Sequence, residues 1–376
     1  MARPKAVRKV VDTVAAAVEE AAGDAVKAAD PVALATSVAM PVVEAAVEKV
    51  AQSHGEVVHV PAPLKRARLP SPVRFALVAV LSFYLESLGR SLVVEYTHGE
   101  LAKVARPASS LTQNEALALA GWKLFGLALG WYGNYDGFDL AALAVLSHGP
   151  MAYLISTYYG IRASTAGAYL AVEVVSTFFP FLLLRKLSGA HAAAPGIPNR
   201  DIVVDRQIQV LTSMLSALVY SVTLFLACRT FLPNSFVLHF EGIRTIEPAQ
   251  DAQLFSFNRP LTQILCLLFG VAARTLIFTP FVTASPTVKD QEVAEFDPTT
   301  ATLGQTIYWN LWGYTTPTKV SVKRTAVAML FAGVDTYLQA TTVLSGVDSY
   351  GAAVYASIWT LAAMVTGLAL RYVGSV

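Results

Sequence analysis

The sequence predicts an all-α protein: a polytopic membrane bundle of about eight transmembrane helices behind an amphipathic N-terminal helical tail. Three observations carry this expectation. Of 376 residues, 55% are hydrophobic and only 14% are charged, where a soluble domain carries roughly 25% charge. The apolar residues gather into runs of about 20, the length a helix needs to cross the hydrocarbon core. Polar, glycine and proline residues punctuate those runs. The net charge of +2 supplies no basic surface, so nucleic acid is not an expected partner. The two cysteines, Cys228 and Cys266, both fall inside predicted spans. They read as small apolar packers, with neither a disulfide framework nor zinc spacing.

Residues 1–56 form the tail. Val7, Val11, Val14, Val18 and Ala21 recur at alternating four and three, which draws one apolar stripe along a helix. Such a stripe suits the membrane surface or a partner protein, although a poorly ordered tail with helical bias has the same composition. The segment has no leucine-rich core of a signal peptide, and its early acids disfavour a mitochondrial leader. Residues 57–72 hold Pro61, Pro63, Pro70 and Pro72 and read as an extended linker. Residues 73–376 form the bundle, with spans expected at 73–96, 116–132, 138–159, 163–187, 208–231, 261–282, 325–344 and 351–373.

Lysines and arginines set the expected orientation. Thirteen lie at one set of span ends (Lys65, Arg66, Arg68, Arg74, Arg185, Lys186, Arg200, Arg206, Lys289, Lys319, Lys323, Arg324 and Arg371). Six lie at the other (Lys103, Arg106, Arg162, Arg229, Arg244 and Arg259). Both termini are therefore expected in the cytoplasm. Loop 233–259 then faces the lumen, where the alternation of Phe236, Leu238 and Phe240 is compatible with a short hairpin. Loop 285–323 faces the cytoplasm. Its aromatic half, Ile307 to Tyr314, predicts an interfacial or re-entrant helix that anchors the next span or covers a pocket.

Ionisable residues inside spans are costly and mark candidate sites. Glu86 and Arg90 stand four apart in the first span, the favoured helical ion pair. Glu173 has Tyr169 and Thr177 at helical spacing and no local base, so its partner must come from another helix. Lys123, His148 and Arg274 are the candidates, and a Glu173–Arg274 pair would satisfy both residues. Asp335 is a third intramembrane acid, with Gln339 one turn on. His148 sits at the kink that Pro150 imposes, and a lone histidine has no metal geometry. Asp136 and Asp139 read as turn and cap residues. Glu173, Glu86 and Asp335 are thus the candidate catalytic acids. His148, Arg274, Lys123 and Arg90 are the candidate binding residues. The chain has no Walker loop, no H-E-x-x-H, no G-x-S-x-G and no aspartate-rich motif, so no cofactor or metal is expected.

At Tyr135-Asp136-Gly137-Phe138-Asp139, Leu146-Ser147-His148-Gly149-Pro150 and Tyr158-Tyr159-Gly160-Ile161 the chain resembles fungal multi-pass membrane proteins of poorly defined role. Some of these accompany terpenoid pathways such as indole-diterpene clusters. The resemblance implies a filamentous fungus, an internal membrane such as the endoplasmic reticulum, and a hydrophobic small molecule. It transfers no residue roles. Three functions are compatible with these features. The first is an enzyme-like handler of an apolar small molecule, in which a buried carboxyl that keeps its proton could donate it to an alkene or epoxide. The second is a proton-coupled transporter hinged at Pro150 and Pro180. The third is a scaffold docked through its amphipathic N-terminus and its aromatic cytoplasmic loop.

Overall fold

The computed structural model describes residues 70–250, 260–297 and 299–375. The tail 1–56 and almost all of the linker lie outside the described residues. The described residues are helical and contain no strand, only two isolated bridges, Ala105 to Leu344 and Phe240 to Val347.

Eight long helices occupy the eight expected spans. They are α1 (Ser71–Tyr96), α2 (Gln113–Tyr132), α3 (Gly137–Thr157), α4 (Ala163–Leu184) and α5 (Arg206–Thr230). After the short α6 (Leu232–His239), α7 begins as Pro260–Ala273. It continues through a π turn, Arg274–Phe278, into Thr279–Val282. Beyond α8 (Leu303–Trp312) come α9 (Thr316–Thr342) and α10 (Ser349–Gly374). Six of the eight are long and apolar enough to cross a membrane, so this is a multi-pass membrane protein. The other two are α2 and α9. Their polar residues, Glu115 and Lys123 in one and Lys319, Lys323, Arg324, Asp335 and Gln339 in the other, hold them below that measure.

Cap chemistry sets the helix starts. Thr112 with Glu115, and Asp136 with Asp139, close reciprocal capping boxes at α2 and α3. The Asp205 side chain accepts from the Gln207 amide at 2.7 Å and opens α5. α1 starts at Ser71 with a proline in its first turn, so the predicted linker ends two residues early. The start of α9 differs most from expectation. It begins at Thr316 instead of residue 325, because Asp290 Oδ1 accepts from the Thr316 amide (2.7 Å) and hydroxyl (2.9 Å). Lys319, Lys323 and Arg324 therefore lie inside the helix, not in a loop.

The central pole is α3, 83% of whose most apolar 18 residues are buried, against 17% for α1. It packs against α4, α7 and α9, while α5 and α10 close the far side and α1 leans on α4. An aromatic core of Tyr153, Tyr158, Tyr220, Phe236, Phe269, Tyr355 and Trp359 fills the space between α3, α5, α6, α7 and α10. Cys228 and Cys266 are buried and form no disulfide. The kink residue Pro150 offers its own carbonyl to the Tyr355 hydroxyl at 2.6 Å. Exposed leucines, isoleucines and valines run along α1, α4, α5 and α7, as contact with lipid requires.

The expected hairpin in 233–259 is a helix instead. Leu232, Phe236 and Phe240 are buried while Val237 and Leu238 are exposed, so the working period is four and not two. The aromatic segment predicted as an interfacial helix does form α8. None of its residues is buried in the protein, and Trp309 donates to the Val293 carbonyl at 3.2 Å.

Gly270 marks a close helix crossing. A Cβ there would stand 2.2 Å from the Ser213 carbonyl oxygen and 2.8 Å from the Ala217 amide. Backbone cannot move aside as a side chain can. Gly270→Ala should therefore lower stability by about 1–3 kcal/mol, read as a drop in the thermal midpoint of the detergent-solubilised protein. An unchanged midpoint would mean that α5 and α7 do not meet at this residue.

Candidate functional site

Glu173 lies on the face of α4 that also carries Tyr169 and Thr177, one turn either side. Its carboxylate is almost fully buried. α1 can approach because it has Gly89 where it meets Val172: a Cβ there would come within 2.8 Å of the valine methyl. That approach brings two α1 residues to Glu173. Arg90 Nη2 lies 2.7 Å from Glu86 Oε1 and 2.7 Å from Glu173 Oε1. From α2, Lys123 Nζ pairs with Glu86 Oε2 and stands 3.7 Å from Glu173 Oε2. The four residues close a ring of alternating charge: Glu86, Arg90, Glu173, Lys123. A buried charge such as Glu173 persists only when paired, and here each charge has two opposite neighbours, with Arg90 the exposed member of the ring. Arg90 also lies over the Tyr169 ring and Lys123 over the Phe83 ring, contacts that favour a cation.

A second network adjoins the ring. His148 sits on α3 two residues before Pro150, with Nε2 at 3.7 Å from Glu173 Oε2 and Nδ1 at 3.3 Å from Asp335 Oδ2. The Gln339 side-chain amide donates to Asp335 Oδ2 (2.7 Å) and to His148 Nδ1 (2.7 Å), and its oxygen accepts from the Tyr169 hydroxyl (3.1 Å). Turned the other way, the amide would set its oxygen against the Asp335 carboxylate. While Asp335 is ionised, the amide orientation is therefore decided.

Both networks floor one cavity of about 450 Å³ between α1, α2, α3, α4 and α9. Its walls are apolar, among them Phe83, Trp122, Leu127, Leu143 and Phe331. Trp122 packs on Phe331 at 5.0 Å and Phe125 stacks on it at 6.1 Å, which joins α2 to α9. A cavity of this size with a few convergent polar groups has the usual form of a small-molecule site.

Six of the seven residues singled out from the sequence thus meet in one place: Glu173, Glu86, Asp335, His148, Lys123 and Arg90. Arg274 is the exception. The expected Glu173–Arg274 pair does not form, because Arg274 opens the π turn of α7 and the central helix α3 stands between α7 and α4. Its Nε is buried without a hydrogen-bond partner. The Glu86–Arg90 pair does form, but it does not neutralise itself in isolation, because Arg90 is shared with Glu173. Tyr169 and Gln339 were visible only as helical neighbours of Glu173 and Asp335.

A second ionic cluster, at the start of α3, was not foreseen. Asp136 and Asp139 are cap residues as read, and they do more. Asp139 pairs through both oxygens with Arg324 of α9. His191, in the α4–α5 connection, places Nδ1 at 2.7 Å from Asp136 Oδ2 and Nε2 at 3.2 Å from the Thr275 carbonyl. Both partners can only accept, so both ring nitrogens carry protons and His191 is an imidazolium. Asp136, Asp139 and His191 offer ligand atoms within 4.8 Å of one another. However, neither imidazole nitrogen has a free lone pair, and Asp139 is taken by a guanidinium. The donor set does not fit a metal ion.

Burial alone would lower the affinity of His191 for its proton. The hydrogen bond to Asp136, the nearby Asp139 carboxylate and the Thr275 carbonyl outweigh it and raise the imidazole above its ordinary value. Burial likewise works against the Asp136 carboxylate. The His191 hydrogen bond, with the amides of Asp139 and Ser188, outweighs it and holds the carboxyl well below its usual range. The raised histidine contributes stability that is complete below the ordinary imidazole value and is lost as pH rises through the raised one. The depressed carboxyl contributes above the ordinary carboxylate range and is lost only in acid. The thermal midpoint of the solubilised protein should therefore fall as pH rises from about 7 to about 9. His191→Asn should start lower and show no such slope. Parallel curves for the two proteins would contradict the imidazolium assignment. The chain matches no family model, no curated protein and no solved structure.

Proposed function

We propose that the protein takes a small, largely apolar molecule into the bundle and holds the polar end of that molecule at the charged floor of the cavity, where the ring of Glu86, Arg90, Glu173 and Lys123 adjoins His148 and Asp335. One observation carries the reading. A cavity with apolar walls gathers six ionisable side chains from five helices. The molecule we assign to it is of the class the resemblance implies, a terpenoid handled in an internal fungal membrane. Glu173 is hemmed by Arg90, Lys123 and His148, so its role is to anchor. Asp335 has no lysine or arginine partner among the described residues and is joined to His148, which makes that pair the place where a proton can come and go. A proton delivered there serves acid–base chemistry on a bound molecule.

A second reading, proton-coupled export, is favoured by a different feature. His148 lies between two carboxylates and two residues before Pro150, so protonation and helix geometry could be linked. The scaffold reading rests on residues 1–56, which lie outside the described residues, and on the aromatic segment of α8.

Two variants test the proposal. Ala120 lines the cavity from α2 and is exposed, so Ala120→Trp fills the space without disturbing the core. Mass spectrometry of small molecules that co-purify with the wild-type protein should find a species depleted at least about tenfold in this variant. Glu173→Gln should abolish the pathway product in the producing cells while the protein still accumulates in membranes. Identical co-purifying molecules, together with undiminished product, would sink the reading.

A further inference from the structure

Resting on that reading, we infer that the cavity is selective for a lipophilic organic cation, bound at Asp335 in competition with a proton. The inference comes from a charge count. Glu86 and Glu173 are balanced by Arg90 and Lys123 within the ring, which leaves two carboxylates against two fixed cations. Asp335 is the third carboxylate, and no third lysine or arginine answers it among the described residues. On its own helix, Arg324 is committed to Asp139. On α10 the one charged residue, Arg371, lies over the Tyr314 ring at 5.2 Å.

The remaining neighbour is His148, and while Asp335 is ionised the orientation of the Gln339 amide decides its charge. Its Nδ1 accepts from the Gln339 amide at 2.7 Å. An imidazole with an accepting nitrogen is neutral, and its proton sits on Nε2, toward Glu173. The other groups that face Asp335 supply no cation: the Ser147 hydroxyl on α3, the Tyr169 phenol on α4 and the Gln339 amide on α9 are uncharged, and the Glu173 carboxylate, itself paired within the ring, adds only like charge.

The cavity therefore carries one uncompensated negative charge at a carboxylate that is almost fully buried. Such a charge is unfavourable at membrane depth and draws in a cation. Two cations are small enough and available. A proton converts Asp335 to the neutral acid and costs the cavity no space. An organic ammonium or phosphonium places its charge against the carboxylate and its apolar body against the aromatic walls, whose ring faces also attract cations. Only one of the two can be present at a time. Binding of the organic cation thus displaces the proton, and the cavity is neutral in either state. A neutral molecule can enter only beside the protonated acid and gains no ion pair there, and an anion is repelled by the ionised carboxylate.

The test uses ions of one shape and opposite charge. Tetraphenylphosphonium, tetraphenylborate and the neutral dye N-phenyl-1-naphthylamine are titrated into the detergent-solubilised full-length protein. The fraction of binding lost in Ala120→Trp is taken as cavity binding. Tetraphenylphosphonium should bind the cavity at least about tenfold more tightly than tetraphenylborate. Its affinity should weaken as pH falls, because protons compete for Asp335. Asp335→Asn should weaken it about tenfold and remove the pH dependence. If cavity binding is seen but tetraphenylborate or the neutral dye matches the phosphonium, or Asp335→Asn changes nothing, cation selectivity is wrong and the small-molecule cavity stands. If no probe shows cavity binding, both fail. Should Asp335→Asn not fold, the comparison of the two ions on the wild-type protein decides alone.

Discussion

The described bundle depends on how α7 is repaired where Pro280 breaks it. Proline has no N–H, so the Leu276 carbonyl four residues back loses its helical donor. The Thr279 amide turns to the Arg274 carbonyl in the π turn, which strands the Thr275 carbonyl as well, because the next residue along is Pro280 itself. Two orphaned carbonyls inside an apolar bundle would be costly. Arg324 donates to the first at 2.9 Å and His191 to the second at 3.2 Å. Both donors are cations, and each is held in turn by a carboxylate from the capping box of α3. One small cluster thereby joins the start of α3, the break in α7, the first turns of α9 and the α4–α5 connection.

That junction explains the geometry of the site further along α3. With its start pinned between α7 and α9, the helix carries Leu140, Leu143, Ala144, Ser147 and His148 along one wall of the cavity. Pro150 follows two residues later, and the Tyr355 hydroxyl donates to its carbonyl from the opposite side. α9 is positioned by the same junction, so Asp335 and Gln339 face His148 and not lipid. The two polar networks are thus separated by function. One consists of ion pairs and repaired backbone, and leaves no lone pair for a ligand. The other opens onto about 450 Å³ of space.

The ring around Glu173 follows a different rule. α1 is the least buried of the apolar spans, and its hold on the bundle comes through α4. Gly89 lets the two backbones approach, and the charges of Glu86 and Arg90 then meet Glu173. Lys123 brings in α2, whose other anchors are aromatic: Trp122 and Phe125 on Phe331 at one level, and Trp131 on Phe75 and Phe181 at another. The outer helices are therefore joined to the core largely through the residues that also line the cavity. Occupancy of the cavity and the packing of α1 and α2 are coupled by construction.

The sequence by itself determined the class and the number of long helices, because runs of about 20 apolar residues admit no other reading in a membrane. It also determined which side chains were out of place. A carboxylate or an amine in an apolar helix is conspicuous without any structure, and six of the seven residues so marked do converge. Local pattern failed where tertiary contacts overrode it. The segment with Leu232, Phe236 and Phe240 was read with a period of two, although those three residues bury on one helical face. The start of α9 was set by Asp290, a residue far from it in the chain. Only the tertiary structure could pair the charges. Glu173 and Arg274 were each without a local partner, and sequence spacing offered no reason to keep them apart. The interposition of α3 did so, and gave Glu173 to Arg90 and Lys123 instead. For the same reason Asp136 and Asp139 looked like two caps and Arg324 like a topological charge, while nothing in the sequence singled out His191. Ion pairs depend on distances of a few ångströms between helices, and those distances are set by packing, which no single segment of sequence contains.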